Sequence, residues 1–96
     1  MRVLLVEDDK ALADGLIRTL RGSGYAVDHA PNGELALKAA SEENFDLIVL
    51  DIGLPGISGF EVLDQLRKNR HLGSILMLTA RDAEADRVKG LDLGAD

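Results

Sequence analysis

Short apolar runs that end in acidic residues are the feature that most constrains how this chain folds. The run at 3–6 leads into Glu7, Asp8 and Asp9, and the run at 45–50 ends in Asp51. Apolar runs of this length, bounded by turn residues, are typical of buried parallel strands. In an open parallel sheet, ligands bind outside the carboxyl ends of the strands. We therefore expect these carboxylates to meet in one acidic pocket.

The pocket favours a hard divalent cation. Mg²⁺ in proteins is bound through one or two carboxylates together with waters and the phosphate oxygens of a substrate. The 96 residues contain no cysteine, which excludes disulfides and thiolate metal sites. The pattern predicts Mg²⁺ as the cofactor and phosphate chemistry at an aspartate.

Length and charge narrow the class of protein. Ninety-six residues allow one domain, and a hydrophobic content of 46% is enough for its core. The net charge of −6 argues against direct nucleic-acid binding, which requires clustered Lys and Arg. No apolar run approaches the length of a membrane span, and Met1-Arg2 leads directly into a strand rather than a signal peptide, so we expect a cytoplasmic protein without a membrane partner.

Strand and helix patterns alternate along the chain. The strand at 25–30 is more polar than the others and is expected at a sheet edge, and a fourth strand covers 74–79. Asp9, Asn32 and Ser58 are the expected N-caps of the first three helices. Repeated β-α units predict a parallel sheet with right-handed crossovers and helices on both faces. Helical spacing marks these inward-facing residues: Ala13, Leu16, Ile17, Leu20, Leu35, Ala36, Ala39, Ala40, Val62, Leu63, Leu66, Ala85, Val88 and Leu91.

Five stretches together resemble the receiver domain of two-component response regulators, within the winged-helix (OmpR/PhoB) transcription-factor subfamily. They lie at 3–9, 46–51, 54–59, 77–80 and 90–96, so the resemblance covers the whole chain. It implies a flavodoxin-like α/β fold, a doubly wound parallel sheet whose family order is 2-1-3-4-5.

The resemblance implies a role for each residue of the pocket. Asp51 would be the phosphoacceptor and would bind Mg²⁺ together with Asp8, while Glu7 would reach the water shell of the ion. Gly53 would offer its backbone carbonyl to the metal. The alternative for Asp51 is a solvated aspartate at a strand end, which the second acidic strand end disfavours.

Two further residues at the end of the fourth strand match the family pattern. Thr79 would bind a phosphoryl oxygen and move on activation, although a β-branched residue is also common in strands for its propensity alone. Ala80 is small, which leaves access for the phosphoryl donor. Ser58 stands where aspartate is usual, and serine caps a helix equally well.

The resemblance also implies the partners. A sensor histidine kinase would donate the phosphoryl group, and DNA would be bound only through an output domain that is not in this chain. The domain would catalyse its own phosphorylation and slow hydrolysis without acting on a separate metabolite. One alternative is a phosphatase or phosphotransferase with an aspartyl-phosphate intermediate. Such enzymes typically need a second acid close after the nucleophile, and Gly53 is not one.

The family continues into a fifth strand, which carries a lysine, and a fifth helix, and residues 1–96 match neither. We expect a C-terminally truncated receiver domain of strand order 2-1-3-4, in which Lys10 and Lys89 do not replace that lysine. A fragment that only mediates interactions is therefore a further alternative. If the polypeptide is no longer than this, the apolar fourth strand is an open edge that favours a homodimer. His29 and His71 are interpreted as ordinary surface or edge histidines away from the acids.

Overall fold

A computed structural model of the protein describes residues 1–71 and 73–78. Its four strands are all parallel and lie in the order β2-β1-β3-β4, which confirms the predicted flavodoxin-like architecture over the described strands. The elements are β1 Arg2–Val6, α1 Lys10–Gly22, β2 Ala26–Ala30, α2 Gly33–Glu42, β3 Leu47–Asp51, α3 Gly59–Lys68 and β4 Ser74–Leu78.

The core consists of two layers of side chains, one on each face of the sheet. Successive strand residues point to opposite faces. Leu4 and Val6 of β1 therefore face α2 and α3, whereas Val3 and Leu5 face α1. All four residues are at most 1% exposed. A central strand buried on both sides explains why the sequence shows a continuous apolar run instead of an alternation.

Side-chain caps fix the point at which each helix begins. A side-chain oxygen of Asp9 accepts the Leu12 N–H at 3.1 Å, and that of Asn32 accepts the Leu35 N–H at 2.9 Å. The Ser58 hydroxyl accepts from an N–H in the first turn of α3 at 3.2 Å. The three predicted caps are confirmed. The first two helices start within four residues of the end of the preceding strand, whereas a longer loop, residues 52–58, joins β3 to α3.

One predicted core residue of α2 is on the surface. Leu35 is 45% exposed, and Leu37 packs against the core in its place. The reason is rotation about the helix axis. Ala36 and Ala40 point toward the core. Around the helix axis, Leu37 lies on the same side of Ala36 as Ala40 and stays close to the core, whereas Leu35 lies on the other side of Ala36 and is turned away from it.

The predictions for the end of the chain fall outside the described residues. They comprise the last residue of the fourth strand, Thr79, the following Ala80, and the helix predicted to contain Ala85 to Leu91. In the part that the structure describes, no helix combines the length and the apolar character needed to cross a membrane.

Candidate functional site

Three carboxylates meet at the carboxyl edge of the sheet. Glu7 and Asp8 follow β1, and Asp51 is the last residue of β3. The two strands are paired with Val6 opposite Leu50, so their ends are level. One oxygen from each of the three carboxylates lies within 4.8 Å of the others. The acidic pocket expected from the sequence is therefore formed.

Glu7 is the buried member of the three, with 4% of its surface exposed. Its Oε1 accepts the backbone N–H of Asp9 at 3.1 Å. Burial raises the pKa of Glu7 to about 7, and the Asp51 and Asp8 carboxylates act in the same direction, against the lowering by the Asp9 N–H. A proton at this carboxyl relieves part of the repulsion among the three acids.

Asp51 is half-buried, and its backbone and side chain are both constrained by the loop that follows it. Its Oδ1 accepts the Gly53 N–H at 3.1 Å. Gly56 adopts φ +74°, a conformation that favours glycine. Gly59 serves a different purpose, because a β-carbon there would lie 2.7 Å from the Ile52 Cα and against the Asp51 carbonyl oxygen. The start of α3 is thus packed directly onto the end of β3.

The carboxyl end of β4 lies beside this site. Leu78 is paired with Asp51 in the strand register, and its carbonyl accepts the Ile52 N–H at 2.9 Å. Thr79 and Ala80 follow Leu78 in sequence and lie outside the described residues, so their roles remain predictions.

His29 is an exposed residue of the edge strand β2, as predicted, but the expectation that it lies away from the acid-bearing strand ends is wrong. Its Nε2 lies 2.8 Å from the backbone carbonyl oxygen of Glu7. The signal was available in the topology, because His29 is the last residue but one of β2, and β2 is paired with β1. A polar side chain near the end of the neighbouring strand reaches the same edge of the sheet.

His71 lies at the opposite edge, beside a cleft of about 810 Å³ between the ends of α2 and α3. Its side chain is partly exposed, while its Nε2 is buried without a hydrogen-bond partner among the described residues. Burial, together with the nearby Arg67, lowers the pKa of His71. Among the described residues that line the cleft, the only acid is Asp46, which accepts a hydrogen bond from the Arg2 N–H. This described lining therefore differs from the other edge, where three carboxylates lie together.

Residues 3–96 match the model of the response regulator receiver domain family. The chain belongs to this family. It is similar to the response regulator protein PmrA of Pseudomonas aeruginosa, with 51% identity over 96 residues that make up 100% of this chain and 43% of PmrA. It is also 50% identical to the alkaline phosphatase synthesis regulatory protein PhoP of Bacillus subtilis over 99% of this chain and 40% of PhoP. The chain thus spans about two fifths of the length of these curated relatives.

Solved structures agree with this receiver-domain fold. A response regulator from Chloroflexus aurantiacus superposes with a TM-score of 0.92 and 35% identity, covering 99% of this chain and 80% of the other. The response regulator TrrA of Thermotoga maritima, solved in complex with Mg²⁺-BeF, gives a TM-score of 0.87 and 39% identity over 99% and 81% of the two chains.

The donor set of this receiver domain fits a magnesium ion. It consists of three carboxylates and therefore of oxygen ligands only, as hard cations prefer. Among residues 1–71 and 73–78, no Lys or Arg forms an ion pair with Glu7, Asp8 or Asp51. The negative charge of the cluster is therefore available to a cation from solution.

Proposed function

We propose that this receiver domain is a phosphorylation-controlled switch in which Asp51 accepts a phosphoryl group from a sensor histidine kinase. The observation that supports it is the carboxylate of Asp51 at the sheet edge, with oxygens of Glu7 and Asp8 within 4.8 Å. In the transfer, the P–N bond of a phosphohistidine breaks as a P–O bond to the Asp51 carboxylate forms. Gly53 N–H already occupies Oδ1, which leaves Oδ2 as the proposed nucleophilic oxygen.

The proposed cofactor is Mg²⁺, held by the carboxylates of Asp8 and Asp51 and the carbonyl of Gly53, with Glu7 acting through waters. When bound, the ion supplies positive charge that offsets the carboxylates and the phosphoryl oxygens. The chain itself holds the acids in place. Glu7 is fixed by the Asp9 N–H, and Asp51 by the Gly53 N–H.

We further propose that Thr79 binds a phosphoryl oxygen and that Ala80 leaves room for the donor. The position of β4 supports this assignment, because Leu78 is paired with Asp51. A hydroxyl on the next residue of the chain would be close to the phosphoryl group if the strand continued by one residue.

The output of the switch is inferred from the relatives. Several are transcriptional regulators, such as TcrA of Mycobacterium tuberculosis, of which this chain covers 38%. We infer that phosphorylation controls DNA binding through an output domain, that the protein acts in the cytoplasm, and that its chemistry is limited to its own phosphorylation and dephosphorylation.

The proposal is tested on the natural polypeptide that contains these residues. It is incubated with Mg²⁺ and a small acyl phosphate, and its intact mass is measured. We expect the wild type to gain the mass of one phosphoryl group and Asp51→Asn to gain none. Asp9→Asn is the matched control, because it changes a neighbouring carboxylate that caps α1, and it should be labelled like the wild type. Labelling of Asp51→Asn, or none of the wild type, contradicts the proposal.

Phosphate release from an ester and the thermal melt, measured on the same protein, separate the alternatives. A phosphatase would hydrolyse a phosphate ester repeatedly, with many phosphates released per protein, whereas a switch accepts one group from an acyl phosphate. A fragment that only mediates interactions would stay unlabelled while its melting remained cooperative. Gly53 stands two residues after Asp51 and carries no acid for protonating a leaving group, which disfavours the phosphatase.

A further inference from the structure

His29 makes a hydrogen bond that the strand ladder does not account for. It lies on β2 opposite Leu5, and its Nε2 reaches past the end of β1 to within 2.8 Å of the Glu7 carbonyl oxygen. A carbonyl oxygen only accepts hydrogen bonds, so Nε2 carries the proton and donates it. The bond links positions 22 residues apart.

The backbone ladder between β1 and β2 ends at this point. Its last rung runs from the Glu7 N–H to the Ala30 carbonyl at 3.1 Å. Pro31 follows, which has no N–H, and Asn32 caps α2. β2 therefore turns away from β1 at the point where its next backbone N–H would have bonded to the Glu7 carbonyl. The ring of His29 provides that donor instead.

The carbonyl that His29 holds belongs to the peptide unit between Glu7 and Asp8. A peptide unit is planar, so fixing its oxygen restricts the rotation of the plane and the position of the Asp8 Cα. In the described part of the chain, the Asp8 carboxylate makes no hydrogen bond or ion pair of its own. The backbone therefore sets where this side chain starts and which rotamers bring its carboxylate to the cluster.

We propose that His29 is a positioning residue for the metal site, acting through the Glu7–Asp8 peptide; this inference rests on the proposed function. Two bonds then hold the turn after β1. The Asp9 N–H binds the Glu7 carboxylate, and the His29 ring binds the Glu7 carbonyl. Without the bond from His29, the Glu7–Asp8 peptide plane can rotate. Asp8 must then be ordered when the ion binds, and the entropy lost in this ordering weakens the affinity for Mg²⁺.

The test compares three variants of the natural polypeptide that contains these residues. His29→Ala removes the donor, and His29→Gln keeps an N–H at a similar distance from the backbone. His71→Ala removes the other histidine, at the far edge of the sheet. The dissociation constant of Mg²⁺ is measured by calorimetry. We expect His29→Ala to bind Mg²⁺ about threefold to tenfold more weakly, which corresponds to one net hydrogen bond. His29→Gln should recover most of the affinity, and His71→Ala should match the wild type.

A second measurement is made in chelator, without any metal. Amide exchange of Asp9 reports the order of the turn, because this N–H is bound to Glu7 Oε1. We expect faster exchange in His29→Ala than in the wild type, and recovery in His29→Gln. Unchanged affinity in His29→Ala, no recovery with His29→Gln, or an equal loss in His71→Ala overturns the proposal.

The two measurements separate a failure of this inference from a failure of the proposed function. If the wild type binds no Mg²⁺, the metal site itself is refuted and His29 positions no ligand. If the wild type binds Mg²⁺ and the exchange of Asp9 changes while the affinity of His29→Ala does not, only the role of His29 is refuted.

Discussion

The acidic residues at the two edges of the sheet differ in whether the chain itself supplies their partners. At the amino edge, the guanidinium of Arg2 lies 2.7 Å from both Asp28 and Glu43, and its backbone N–H lies 2.7 Å from an oxygen of Asp46. The same guanidinium stacks over the ring of Phe45 at 5.3 Å. Each of these acids therefore has a hydrogen-bond partner within the chain.

At the carboxyl edge, three acids lie together, with one oxygen of each within 4.8 Å of the others. Glu7, Asp8 and Asp51 share a cluster in which no Lys or Arg of the described residues forms an ion pair. The comparison shows that composition does not decide what an acid does. Acids paired within the chain contribute to folding, whereas acids left unpaired keep their attraction for a ligand, at a cost to the stability of the free protein.

The largest expected effect is a pH dependence of the free energy of unfolding, which measures what it costs the free protein to leave these acids unpaired. In the folded protein the pKa of Glu7 is about 7, against an ordinary value of 4.5. The folded state therefore binds the proton more tightly than the unfolded state, and without metal the free energy of unfolding falls as pH rises from about 4.5 to 7. One pH unit corresponds to about 1.4 kcal/mol, so the fall is on the order of 3 kcal/mol.

Glu7→Gln isolates this contribution, because glutamine has the same shape and no charge. Denaturant unfolding in chelator at several pH values gives the difference between the variant and the wild type. We expect the variant to be the more stable of the two at pH 8 and the difference to disappear near pH 4. If the difference in the free energy of unfolding stayed constant across this pH range, the pKa of Glu7 would not be raised in the folded protein.

The second effect is stabilisation by Mg²⁺ at the carboxyl edge alone. A ligand that binds only the folded state, at one hundred times its dissociation constant, raises the free energy of unfolding by about 2.7 kcal/mol. We expect this increase for the wild type and for Arg2→Met, and a much smaller one for Asp51→Asn. Thermal melts with and without Mg²⁺ measure it. Equal increases in the wild type and Asp51→Asn would contradict the metal assignment.

The third effect concerns two closely packed glycines, one at each edge of the sheet, and we expect a similar loss of stability when either is replaced. A β-carbon at Gly59 would meet the backbone of Asp51 and Ile52, and one at Gly73 would meet the backbone of Phe45 and Asp46. Alanine at either position forces the backbone to move, and we expect each to cost about 2 kcal/mol. Gly15→Ala is the control: the added β-carbon would meet nothing within 4 Å beyond its chain neighbours and the backbone of its own helix, so this change should stabilise the protein. Denaturant midpoints measure all three.

The smallest effect concerns the ion pairs of the amino edge. The side chains of Arg2, Asp28 and Glu43 are 40%, 44% and 46% exposed, so salt screens their attraction. The pKa of Arg2 is raised, first by its hydrogen bond to Asp28. We expect Arg2→Met to melt slightly below the wild type at low salt and to approach it in molar salt. A gap that does not depend on salt would assign the effect to packing on Phe45.

Much of the fold could be predicted from the sequence because local and global signals agree in it. The apolar runs before Glu7 and Asp51 predicted β1 and β3, and the caps at Asn32 and Ser58 predicted where α2 and α3 begin. Leu35 was misassigned because helical spacing defines a stripe but not its centre. Only the packing of α2 against the sheet decides which side of Ala36 is buried.

The sequence predicted the acidic residues of the candidate site, but it did not predict the hydrogen bond of His29 behind them. Strand ends carry Glu7, Asp8 and Asp51 to one edge in any parallel sheet of this order, so their meeting follows from topology. The sequence pattern placed His29 near the end of an edge strand but did not show which backbone group its ring reaches, because that contact depends on how β2 is aligned with β1. The roles of Thr79 and Ala80 remain predictions.

The length of β1 has a consequence for how the two edges can be engineered. A strand of five residues at about 3.3 Å per residue spans roughly 17 Å, which is about twice the distance over which physiological salt screens a charge. Substitutions at Arg2 and at Glu7 should therefore add in free energy, since sites this far apart without shared partners rarely couple. The amino edge can thus be redesigned for thermal stability, and the outcome read from single variants, without retuning the edge that holds the acids.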